Sequence, residues 1–168
     1  MDLCAAPGGK TTHLAGRMLG QGILIANEIH PGRAKILSQS VERAGITNCM
    51  VTNETPQRLA ERLPEYFDCI VVDAPCWGEG MCRKDEVAIA EWTPETPVKC
   101  AARQDEILDC AVRMLRPGGR LVYSTCTFAP EEDEGSVQRL IDRCPEMEVA
   151  AVPGDPCFEP GHPEWTPK

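Results

Sequence analysis

Two apolar runs, fifty positions apart, end in matching ways, and they constrain the fold more than any other feature of the chain. Cys69-Ile70-Val71-Val72 leads into Asp73-Ala74-Pro75-Cys76, and Gly119-Arg120-Leu121-Val122 leads into Tyr123-Ser124-Thr125-Cys126. Short continuous apolar runs of this kind read as strands buried on both faces, as parallel sheets require. Such sheets present their chemistry at the carboxyl ends of the strands. A lone cysteine at a strand end is more often packing than catalysis. Two at matched ends, one beside the carboxylate Asp73, point instead to covalent chemistry.

The rest of the chain alternates accordingly. Asp2–Cys4 reads as the stub of a strand, Thr11–Leu19 as a helix and Gly22–Glu28 as a strand. Pro31–Ala44 is expected to be helical, with proline in its first turn and Gly45 at its end. Cys49–Asn53 reads as a strand, Pro56–Leu63 as a helix and Phe67–Asp73 as a strand. A helix from about Val98 to Leu115 is expected to stop at Pro117-Gly118-Gly119, before a strand at Leu121–Ser124. Glu131–Cys144 then reads as a helix and Glu148–Val152 as one more strand, followed by an irregular Pro/Gly-rich tail over 153–168. Strands alternating with helices predict a mostly parallel α/β sheet with helices on both faces, in one domain over 1–152.

Composition excludes several classes. No apolar run reaches the roughly 20 residues that span a bilayer, and no signal peptide is visible. Ten cysteines without a CxxC pair, several of them in apolar patterns, read as reduced thiols behaving as small hydrophobes, hence a cytoplasmic setting. Three histidines with no ligand spacing make a metal site improbable. A net charge of -9 advertises no basic face, although Arg83, Lys84, Lys99 and Arg103 offer a possible rim. The acidic run Glu131-Glu132-Asp133-Glu134 reads as a solvated helix start.

Four motifs remain. Asp2-Leu3-Cys4-Ala5-Ala6-Pro7-Gly8-Gly9-Lys10 passes from strand to helix through small residues, letting a ligand approach backbone N–H groups. It is neither GxGxxG nor a P-loop, so a plain strand-to-helix turn is its bland reading. Glu28, about twenty residues beyond the loop, ends the next strand where a carboxylate accepts hydrogen bonds from ribose hydroxyls. Loop and acid together describe a nucleoside-bearing cofactor. Asp73-Ala74-Pro75-Cys76, with Gly78-Glu79-Gly80, places a carboxyl group where desolvation favours its protonated form and suits it to hold a base; a loop cap is the alternative. Ser124-Thr125-Cys126-Thr127-Phe128 supplies the second thiol.

These residues, in this order, resemble the Nop/Sun family of RNA cytosine-5 methyltransferases of the bacterial rRNA type. The matching stretches are Asp2–Lys10, Asn27–Glu28, Asp73–Asp85, Ala102-Arg103-Gln104 and Leu115–Phe128. The resemblance implies a Rossmann-like class I fold using S-adenosyl-L-methionine, an RNA substrate (rRNA rather than tRNA) and a monomer. It implies that Cys126 attacks cytosine C6, that Asp73 holds the N3/N4 edge, and that Cys76 assists loss of the C5 proton and release. Cys4, Ala5, Ala6, Pro7, Gly8, Gly9, Lys10, Glu28, Arg33, Glu54 and Asp73 would surround the cofactor.

Three departures from the family's pattern stand out. Trp77 replaces a small residue after the first cysteine, and is placed to stack on the target base or to crowd it. Glu54 stands where an aspartate contacting adenine is usual. The chain is also expected to be truncated at both ends, lacking part of the first strand and the closing strand pair. A cofactor-binding module without turnover is therefore the second reading. A nicotinamide dehydrogenase fits poorly, because GxGxxG is absent.

Overall fold

The computed structural model describes residues 1–77, 93–151 and 159–166. The candidates Gly78-Glu79-Gly80, Arg83, Lys84 and Asp85 lie outside the described residues. The chain divides into two compact units: Met1–Ala74 with Ile107–Ser124, and Pro75–Glu106 with Thr125–Lys168.

The first unit is the α/β part. Strands β1 (Leu24–Asn27) and β2 (Cys49–Thr52) pair in parallel, Leu24 opposite Cys49. Strands β3 (Phe67–Asp73) and β4 (Leu115–Ser124) pair in parallel, Asp73 opposite Ser124. The N-terminal stub joins the two ladders: Asp2 bridges Ala26 on one side and Val71 on the other, both in parallel. Asp2 N–H donates to the Ile25 carbonyl and Leu3 N–H to the Val71 carbonyl, so successive amides serve opposite neighbours. The resulting order, β2-β1-stub-β3-β4, puts the run before the glycine loop at the centre.

Helices α1 (Gly9–Met18), α2 (Pro31–Arg43) and α3 (Pro56–Arg62) connect these strands, and α4 (Thr96–Met114) leads into β4. Pro31 and Pro56 open their helices, where no amide hydrogen is needed. The Thr55 hydroxyl caps α3 by accepting from Arg58 N–H at 3.3 Å. Core contacts gather Ala5, Ala6, Ala26, Leu37 and Val41, with Ile46, Cys49 and Val51 against them. On α4, Leu108, Ala111 and Met114 are fully buried at the three-residue spacing of one helix face.

The second unit holds the first half of α4, the segment after β4, helix α5 (Glu134–Arg143) and a 3-10 turn at Pro163–Trp165. Arg139 Nε donates to Asp105 at 2.7 Å, tying α5 to α4. The His162 amide donates to Glu134 Oε1 at 3.0 Å, and the His162 ring stacks on Trp165.

Four expectations need correction. Residues Glu148–Ala151 form no strand. The helix before Pro117 ends at Met114, and the strand starts at once. Phe67 faces Leu115 while Cys69 faces Arg120, so the four residues Arg116–Gly119 stand against the single Asp68 and the excess forms a bulge with Gly118 at φ 75°. Cys69 is exposed, not buried, although all eight described cysteines are free thiols. Glu132 is not a solvated helix residue: it sits in a turn before α5 with 1% exposure.

Candidate active site

In the first unit, the glycine loop turns sharply between the stub and α1. Gly8 adopts φ 111°, a conformation L side chains rarely take, and a Cβ there would meet Ser40 Cβ at 3.1 Å and Leu37 Cδ1 at 3.2 Å. Gly9, by contrast, faces open space. Helix α1 has no side-chain cap, so its first amides point from the loop without a built-in partner of that kind. Beneath it, the Thr11 hydroxyl donates to Asp2 Oδ2 at 2.6 Å. Burial pushes the Asp2 carboxyl up, more than the Thr11 hydrogen bond pulls it down.

Glu28, Arg33 and Ala6 form a connected set. Arg33 Nη2 donates to the Ala6 carbonyl at 2.8 Å, while Arg33 Nη1 lies 3.5 Å from Glu28 Oε2. The His30 amide donates to Glu28 Oε1 at 2.9 Å, and Glu28 is only 3% exposed. Cys4, beside them, has its thiol pushed up to about 12, first by burial and then by the Glu28 charge. The Glu54 carboxylate lies 3.0 Å from Arg58 one helical turn on. The Glu54 backbone is locked by Asn27, which accepts from Glu54 N–H at 3.1 Å and donates to the Glu54 carbonyl at 3.0 Å.

Asp73 ends β3 between two donors. Lys10 Nζ is 2.7 Å from Oδ2, and the Ser124 hydroxyl donates to Oδ1 at 2.8 Å. At 38% exposure the carboxylate is matched to an ammonium, rather than desolvated as the sequence suggested. Lys10 thus serves Asp73, a pairing that spacing alone did not reveal.

The thiols belong to the second unit. Cys76 Sγ and Cys126 Sγ are 2.9 Å apart, within hydrogen-bond contact. Cys126 N–H also donates to Cys76 Sγ at 3.3 Å. The Cys76 thiol is pushed up to about 12, chiefly by burial and next by the Cys126 side chain. Cys126 is exposed, whereas Cys76 and Trp77 are half-buried. Behind them Gln104 Nε2 donates to the Pro75 carbonyl at 3.2 Å and to Glu132 Oε2 at 2.6 Å. The Thr125 hydroxyl donates to Asp133.

Of the residues singled out in the sequence, the glycine loop, Glu28 and Asp73 lie in the first unit and both cysteines in the second. Sequence reasoning missed the structural use of Asn27, Ser124, Gln104 and Glu132, polar residues whose partners are 25 to 51 positions away. The only signal for Gln104 was its place in the Ala102-Arg103-Gln104 match. Among the described residues no group of His, Cys, Asp and Glu is arranged to hold a metal ion, and no helix is long and apolar enough to cross a membrane.

Comparisons with known proteins agree with this architecture. The family model described as 16S rRNA methyltransferase RsmB/F matches residues 1–158. The chain is 47% identical over 155 residues to ribosomal RNA small subunit methyltransferase F of Klebsiella pneumoniae, covering 92% of this chain and 32% of that protein. The protein of the same name from Escherichia coli O7:K1 is 46% identical over 146 residues, covering 87% and 30%. The chain therefore spans about a third of the length of these relatives. Among solved structures, NSun6 from Pyrococcus horikoshii with SFG superposes at TM-score 0.70 with 31% identity, over 84% of this chain and 36% of that one. A methyltransferase homolog from the same organism superposes at 0.72 with 34% identity, over 84% and 43%. The fold is thus the Rossmann-like α/β fold of methyltransferases, and the chain belongs to the 16S rRNA methyltransferase RsmB/F family.

Proposed function

We propose that this chain carries the catalytic core of an S-adenosyl-L-methionine-dependent RNA (cytosine-5) methyltransferase acting on small-subunit rRNA. The observation that carries the reading is the contact between the Cys76 and Cys126 sulfurs, one half-buried and one exposed.

The residues present fit such a cofactor. Gly9 leaves open space at the start of α1, where backbone amides are available. Asp2 Oδ1 is a buried oxygen without a hydrogen-bond partner among the described residues. Cys4–Lys10, Glu28, Arg33 and Glu54 would hold the cofactor, Glu28 toward the ribose and Glu54 toward the adenine. When bound, the cofactor supplies an electrophilic sulfonium methyl group.

The chain's own side chains do the rest. Cytosine C5 is too weak a nucleophile to take a methyl group unaided. Cys126, as thiolate, forms a bond to C6, and the electron pair displaced from the C5–C6 double bond makes C5 nucleophilic. Asp73, paired with Lys10 and Ser124, holds the N3/N4 edge and stabilises the charge that develops there. After methylation the C5 proton must leave and the S–C6 bond must break. Cys76 keeps its own proton at neutral pH, so it can pass that proton to the departing Cys126 sulfur while receiving the one from C5.

Trapping tests the assignment. With S-adenosyl-L-methionine and a small-subunit rRNA fragment, Cys76→Ala is expected to accumulate a covalent protein–RNA adduct on a denaturing gel. Cys126→Ala is expected to form none. The reverse pattern would overturn the roles, and binding of cofactor without any transfer would favour the idle module.

A further inference from the structure

The Gln104 side chain is completely buried in α4, and none of the proposed chemistry uses it. Its amide has two donor hydrogens and an acceptor oxygen in one plane, and three partners take them. Nε2 donates to the Pro75 carbonyl, the atom just before Cys76, and to Glu132 in the turn that follows Cys126. Oε1 accepts from the Ser136 hydroxyl at 3.4 Å. Burying this amide and a carboxylate together is costly compared with packing an apolar side chain of the same volume. The arrangement joins two segments, fifty residues apart in sequence, that carry the two thiols.

We infer that Gln104 is a positioning residue for Cys76, tying the Pro75-Cys76 segment to the segment after Cys126 and so holding the two sulfurs in contact. The inference rests on the reading in which Cys126 attacks and Cys76 releases, but the placement itself is measurable without RNA. A release step that relays protons between two sulfurs depends on their separation. Attack by an exposed Cys126 on C6 depends on it far less. Loss of the tie therefore slows release more than attack.

The experiment uses the whole protein and two measurements. In the first, the diazene oxidant diamide removes two electrons and two protons from the thiols, forming a Cys76–Cys126 disulfide as its N=N bond is reduced to the hydrazine. Peptide mass spectrometry gives the rate. Gln104→Met keeps the volume and loses the hydrogen bonds; it is expected to slow disulfide formation roughly fivefold or more. Ala101→Gly, which weakens the same helix without touching the amide, is expected to leave the rate within about twofold. If Gln104→Met melts below the assay temperature, Gln104→Asn, one methylene short of its partners, should show the same slowing. Equal rates for wild type and the Gln104 variants overturn the inference.

In the second measurement, adduct formation and decay are followed with S-adenosyl-L-methionine and RNA. Gln104→Met is expected to form adduct at close to the wild-type rate and to release it about tenfold more slowly. Adding it to Cys76→Ala should change release no further, since Gln104 acts through Cys76. Equal slowing of attack and release overturns the positioning role. Absence of adduct from every variant, with the diamide result intact, supports the tie and overturns the reading of the reaction.

Discussion

Cys76 and Cys126 hold their sulfur atoms 2.9 Å apart although each ends a different strand-to-loop segment, and the two thiols have unlike surroundings. Burial and the Cys126 side chain keep Cys76 protonated, while Cys126 lies exposed. That asymmetry fits the two roles proposed for them: an accessible sulfur to attack and a proton-bearing sulfur to assist departure.

Alkylation should report it. Iodoacetamide reacts with thiolate, and a group titrating at about 12 is roughly a thousandth ionised at pH 9. Between pH 7 and 9, peptide mapping should find Cys126 modified well ahead of Cys76 and of Cys4, whose thiol is also pushed up to about 12. Comparable labelling of Cys76 and Cys126 at pH 7 would contradict the asymmetry. The same shifts bear on stability. The folded chain holds these protons above the ordinary value of 9.0, so stability should fall as pH rises from about 9 toward 12.

Lys10→Met removes the ammonium from Asp73. Both groups are partly exposed, so the melting temperature should change little, by the equivalent of about 0–1 kcal/mol. Methyl transfer should fall by about tenfold or more, because the carboxylate loses a partner that orients it. A large drop in melting temperature with unchanged transfer would show that the pair is structural.

Adjacent glycines should separate folding from binding. Gly8→Ala forces a Cβ against Ser40 and Leu37 at φ 111° and should destabilise the fold by about 1–3 kcal/mol. Gly9→Ala meets nothing in the protein and should leave the melting curve nearly unchanged. It should nonetheless weaken calorimetric binding of S-adenosyl-L-methionine. Unaltered affinity in Gly9→Ala would move the cofactor away from this loop.

Asp2 should show its burial in a pH series. Its folded carboxyl binds a proton more readily than the unfolded one, so the native state gains stability as pH falls through the window above the ordinary 3.8. Asp2→Asn, neutral and still able to accept from Thr11, should be no less stable than wild type at pH 7. Its relative advantage should shrink as the medium is acidified. A constant difference across that range would argue against the shift.

Most of the local structure was legible because it depends on short-range chemistry. The Phe67–Asp73 strand was read to the residue, since an apolar run bounded by a turn admits few alternatives. Pro31 and Pro56 marked their helix starts by the same logic. Where local signals were thin, reading failed. Glu148–Ala151 alternates weakly and finds no ladder to join, and the Pro117-Gly118-Gly119 turn proved to be a bulge inside β4 because register with β3 decides where a strand begins.

The site divides in the same way. Sequence by itself determined the chemical inventory: two thiols and a carboxylate at strand ends, a glycine loop opening a helix, and an acid at the end of the next strand. Side-chain type and strand period suffice for that. Only the tertiary structure decided partnership: Lys10 with Asp73, Asn27 locking the Glu54 backbone, Gln104 reaching both Pro75 and Glu132, and the acidic residue Glu132 drawn inside. A buried hydrogen bond needs a donor and an acceptor within about 3 Å, and no local pattern encodes which distant residue will arrive there.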